Sequence, residues 1–82
     1  MSTLDKLITK VIKLNKNLRF DELAKVLRLL GYTQTQSGTG SSHYVFRKEG
    51  KMPITIVKAQ PIDVAYIKMV RDALVEEGFG ND

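Results

Sequence analysis

The spacing of apolar residues along this chain changes period twice, and the changes divide it into elements. Leu4, Leu7, Ile8, Val11 and Ile12 fall at the i, i+3, i+4, i+7, i+8 positions that share one face of a helix, with lysines between them. That spacing predicts a helix over about residues 3–14, capped by Ser2 or Thr3. Asn15-Lys16-Asn17 breaks the pattern as a polar connection. A second helix carries Leu23, Val26, Leu27 and Leu30, with Asp21 and Glu22 at its positive end and Gly31 at the left-handed position that stops it.

From Tyr32 the period falls to two. Tyr32 to Gln36 reads as a strand with little to bury, and Ser37 to Ser42 as a glycine-bearing hairpin connection. In the strand that follows, His43, Val45 and Arg47 point one way and Tyr44, Phe46 and Lys48 the other. The aromatic side is expected to face the helices, leaving His43 and Arg47 together on the open face. Glu49-Gly50-Lys51 is a turn, Pro53 fits a strand start, and Ile54 to Val57 is a β-branched third strand. After Gln60-Pro61 the helical period returns in Ile67, Val70 and Leu74, with Val64 and Ala73 flanking them, Asp63 as cap and Gly78 as stop. Phe79 to Asp82 reads as a frayed tail. The expected fold is α+β, in the order α-α-β-β-β-α, with a three-stranded antiparallel sheet packed on helices.

Eighty-two residues make one domain with one core. The absence of cysteine excludes disulfides, thiolate nucleophiles and cysteine-based zinc sites. One histidine and scattered acids suggest no metal site, and no apolar run reaches signal or transmembrane length, so a soluble cytoplasmic protein without cofactor is expected. Charge sharpens the picture. The net +4 hides an uneven distribution: residues 1–71 hold all 13 Lys and Arg against Asp5, Asp21, Glu22, Glu49 and Asp63, whereas Asp72, Glu76, Glu77 and Asp82 follow. A basic body favours a polyanion or an acidic protein surface as partner, and equally describes an ordinary solvated surface.

Candidate chemistry concentrates between Gly38 and Phe46. Gly38 and Gly40 permit close backbone approach, Ser41 and Ser42 add small hydroxyl donors, and successive N–H groups of such a loop can cradle an anion. The sole histidine follows directly. Ser41 and Ser42 are read as binding groups and not nucleophiles, and Tyr44 and Phe46 as core and not base-stacking platforms.

Phe20-Asp21-Glu22-Leu23, Val26-Leu27, Leu30-Gly31-Tyr32, Gly40-Ser41-Ser42-His43-Tyr44-Val45-Phe46, Ile54-Thr55-Ile56 and Tyr66-Ile67-Lys68 together make the chain resemble the HicA toxins over about residues 18–77. The resemblance implies a double-stranded-RNA-binding-domain-like fold, cleavage of messenger RNA with His43 at the catalytic position, a loop formed by Gly40, Ser41 and Ser42, and a HicB-like antitoxin that covers the active site. Two departures stand out. Residues Ser37 to Gly40 lengthen the loop, and Val57-Lys58 stands where many relatives have a proline followed by a second histidine. The segment at residues 3–14 lies outside the match.

Metal-free cleavage of RNA requires a base for the 2′-OH, a cation for the phosphorane and an acid for the leaving 5′-oxygen. Imidazole, with a reference pKa of about 6.5, suits the first task. Arg47 is the first candidate for the second, with Lys58 and Lys51 behind it as further phosphate-binding groups. The acid is then water, a lysine or His43 acting in sequence. Two other functions fit the same sequence: a non-catalytic RNA-binding module of this fold, and a protein-interaction domain with an acidic partner.

Overall fold

The computed structural model describes residues 3–36 and 42–79. Helix α1 spans Thr3–Ile12 and α2 Phe20–Leu29; strands β1 (Thr33–Gln36), β2 (His43–Arg47) and β3 (Ile54–Val57) follow, and α3 spans Val64–Glu76. The observed order is therefore the expected α-α-β-β-β-α. The strands form an antiparallel meander with β2 in the middle. Thr33 pairs with Arg47 and Gln36 with Tyr44 on one side of β2, and His43 pairs with Val57 and Phe46 with Ile54 on the other.

Alternation along β2 sorts its side chains as expected. Phe46 is fully buried and Tyr44 half-buried, while His43 and Arg47 are exposed. Phe20, the first residue of α2, holds the buried side of the sheet to the helices: its ring lies 4.8 Å from that of Tyr44 and 6.1 Å from that of Phe46, both tilted. Leu23, Val26 and Leu27 of α2 and Ile67, Val70 and Leu74 of α3 complete this core with Ile56. Helix α1 belongs to the same core, burying Leu7 and Val11 against α3 and α2.

Local chemistry explains where each helix begins and ends. Asp63 caps α3 by accepting the Ala65 N–H at 2.9 Å. The cap residue of α2 is Arg19, whose guanidinium cannot accept a hydrogen bond, so only half of a reciprocal capping box forms: the Arg19 N–H donates to Glu22 Oε1 at 2.9 Å. All three helices close with one motif, in which the third residue past the end donates to a carbonyl five positions back. Asn15 donates to Lys10 at 2.9 Å, Tyr32 to Leu27 at 3.0 Å and Phe79 to Leu74 at 3.0 Å. Phe79, where the frayed tail is expected to begin, is the last described residue and donates this bond; 80–82 lie outside the described residues.

The residue before each donor is left-handed, with φ 56° at Leu14, 99° at Gly31 and 94° at Gly78. Leucine is an unfavoured residue there, and its side chain packs against the core, a contact that offsets the backbone cost. Gly31 has no such compensation to offer. The nearest atoms to a Cβ at 31 belong to the Lys48 side chain, at 3.5 Å and beyond, an ordinary contact, so the cost of Gly31→Ala is backbone strain. We expect a loss of about 1–2 kcal/mol, seen as a fall in the thermal midpoint with unchanged helix content. An unchanged midpoint would mean that the α2–β1 junction relaxes out of the left-handed region.

Candidate functional site

Among the described residues, helices pack on one face of the sheet. The two strand registers put Thr33 and Thr35 of β1, His43, Val45 and Arg47 of β2, and Thr55 and Val57 of β3 on the other face. His43, Arg47 and the three threonines are exposed, and the two valines between them are half-buried. No carboxylate stands among these side chains, and the only formal charge in the set is Arg47. The Thr35 hydroxyl donates to the Val45 carbonyl at 3.2 Å, which steadies the β1 side of the face. What the arrangement offers is an extended, weakly cationic surface of hydroxyl, imidazole and guanidinium groups, suited to a phosphate-bearing strand laid across it.

The residues expected to act beside His43 are distributed over three places. Gly40 and Ser41 lie outside the described residues, and Ser42 is exposed next to His43, with its carbonyl accepting the Lys58 N–H at 2.9 Å. Arg47 shares the His43 face but not its end. Four residues at about 3.3 Å each separate the two α-carbons by about 13 Å, so the two side chains start from opposite ends of the strand.

Lys58 leaves the sheet on the opposite side. Because Val57 stands directly across from His43, the next residue has the opposite orientation, and Lys58 Nζ lies 5.7 Å from the Phe20 ring centroid on the helix side. There it lines a cavity of about 420 Å³ with Arg19, Asp21 and Gln60 at the start of α2. Lys51 lies beyond the Arg47 end of β2 and is bound to Glu76 of α3 at 3.0 Å. The hydrogen bond that Lys51 donates to Glu76, followed by the charge of that carboxylate, holds the Lys51 ammonium above the ordinary lysine range. The grouping of Lys51 and Lys58 behind Arg47 is thus replaced by three separate positions, since strand parity and one ion pair decide where the lysines go.

The uneven charge of the sequence has a spatial counterpart. Glu76 pairs with Lys51, Glu77 with Lys48 at 3.0 Å, and Asp72 with Arg71 at 3.4 Å. Two of these pairs tie the end of α3 to the segment that follows Arg47, at the opposite end of β2 from His43. Asp72, Glu76 and Glu77 therefore each offset a cation other than those of the His43 face. Sequence reading passed over Thr33, Thr35 and Thr55 as functional groups and Phe20 as a packing hub. Extending the β2 alternation across both neighbouring strands supplies the signal for the threonines.

No protein-family model matches the chain, and no curated protein or solved structure does so either. No described helix is long and apolar enough to cross a membrane.

Proposed function

We propose that the chain is a cytoplasmic, metal-independent endoribonuclease that cleaves messenger RNA, acting as the toxin of a toxin–antitoxin pair. The observation that carries this reading is the exposure of His43, the sole imidazole, on a sheet face that bears Arg47 and, among the described residues of the strands, no carboxylate. The resemblance of residues 40–46 to the HicA loop and strand supports the same reading. His43 takes the proton of a ribose 2′-OH, whose oxygen attacks the adjacent phosphorus; the bond to the 5′-oxygen breaks as that oxygen acquires a proton from water or from the imidazolium. The products are a 2′,3′-cyclic phosphate and a 5′-hydroxyl.

Arg47, about 13 Å from His43 along the strand, holds a neighbouring phosphate of the same RNA and sets its register. Gly40, Ser41 and Ser42 supply amide and hydroxyl donors to the reacting phosphate. A HicB-like antitoxin that covers the His43 face would silence the enzyme by excluding RNA.

Incubation of the purified protein with single-stranded RNA in excess chelator tests the proposal. Cleavage with cyclic-phosphate ends is expected, with RNA affinity falling as salt is raised. Salt-sensitive binding without cleavage would instead identify an RNA-binding module. Absence of both would leave a protein-interaction domain.

A further inference from the structure

We infer that the cavity of about 420 Å³ on the helix side of the sheet is a binding site for a phosphate group, held between Arg19 and Lys58. The two cations come from separate segments, one before α2 and one after β3, and among the described residues neither is bonded to an acid. The site is distinct from the open face of His43 and Arg47, and its assignment does not rest on the ribonuclease reading.

Both cations are carried on fixed backbone. The Arg19 N–H donates to Glu22 Oε1 at 2.9 Å, and the Arg19 carbonyl accepts the N–H groups of Glu22 and Leu23 at 3.1 and 3.2 Å. The Lys58 N–H donates to the Ser42 carbonyl. Its ammonium is also placed, 5.7 Å from the centroid of the buried Phe20 ring, which is itself set against Tyr44 and Phe46. A ligand therefore meets donors whose positions are largely set beforehand, which lowers the ordering cost of binding. At the other end of the sheet Lys48 and Lys51 are placed just as firmly, but each already holds a carboxylate of the chain.

The donors select the shape of the ligand as well as its charge. A guanidinium offers a planar fork of N–H groups, an ammonium three donors and the Gln60 side chain an amide, all on the wall of one cavity. Donors from three residues suit a tetrahedral group with several oxygens, whereas a carboxylate has two oxygens in one plane. Asp21 also lines the cavity, and its carboxylate bonds neither cation and opposes the anion. Two sources carry the phosphate: the backbone of an RNA that passes the end of the sheet, where Lys58 is bonded to Ser42 beside His43, and a free nucleotide.

NMR of the full chain, titrated with inorganic phosphate against chloride at equal ionic strength, tests the site. Saturable shifts of the Arg19 Nε–H and the Gln60 side-chain amide are expected. Shifts no larger than those with chloride, or spread evenly over the cations of the chain, would overturn the inference. Arg19→Ala and Lys58→Ala are each expected to weaken binding by about 2- to 5-fold, and Asp21→Asn to tighten it by a similar factor. Equal affinity in all three would also overturn it. A 2′-O-methyl oligonucleotide, which cannot be cleaved, and adenosine monophosphate separate the sources. Shifts at the cavity and at Arg47 together with the oligonucleotide identify an RNA phosphate, and shifts at the cavity with the monophosphate alone identify a free nucleotide. A cavity that answers to neither would overturn the assignment. None of these readouts is cleavage, so their failure is distinct from a failure of the His43 chemistry.

Discussion

Phe46→Ala is expected to remove most of the stability of this domain, about 3–5 kcal/mol. Phe46 is fully buried on the central strand, where its ring meets that of Phe20 and joins the sheet to the start of α2. Truncation deletes a large apolar side chain and leaves a cavity that neighbours on two strands and a helix can fill only partly. A chain of this length has a total stability of about 4–12 kcal/mol at ordinary per-residue values, so the variant is expected to be marginal or unfolded. Urea titration followed by circular dichroism provides the measurement. Val45→Ala, one residue away on the half-buried open face, is the control, with an expected loss below about 1 kcal/mol. Equal losses at 45 and 46 would mean that the sheet is covered on both faces, and the candidate site would lose its basis.

The sequence makes this contrast legible because the alternation in β2 is strict and its two classes differ in kind. Aromatic rings at 44 and 46 have one favourable destination, whereas imidazole and guanidinium at 43 and 47 remain solvated at little cost. Helix limits were readable for a related reason: Gly31, Asp63 and Gly78 act through backbone conformation or a local side-chain bond, and both are properties of a few consecutive residues. The placement of the lysines was not readable in this way. Lys58 follows a β-branched run whose register against β2 is set by the ladder, and a shift of one residue would have returned its side chain to the His43 face. Lys51 is held by Glu76, 25 positions along the chain. Such a partnership depends on how α3 lies against the β2–β3 turn, which no local pattern encodes. Phe20 lies on the stripe of α2, three positions before Leu23 and seven before Leu27, so helical period places it in the core; that its ring meets Tyr44 and Phe46 depends on how α2 crosses the sheet.

His43→Ala is expected to lower RNA cleavage by about 10²–10⁴-fold, the range attributable to a positioned general base. The substitution removes exposed atoms at the first residue of β2, so the urea midpoint should move by no more than about 0.5 kcal/mol in stability. RNA affinity should also hold, because the formal charge on this face is carried by Arg47. Arg47→Ala provides the opposite signature: weaker binding and a salt dependence reduced by about one phosphate contact, with residual cleavage once RNA is saturating. The separation of the two along β2 makes these signatures distinct, since a single phosphate shared by both groups would couple them. Cleavage unchanged in His43→Ala would remove the histidine from the chemistry. Loss of cleavage and binding together in that variant, with the fold intact, would make His43 a binding residue and the open face a recognition surface without catalysis.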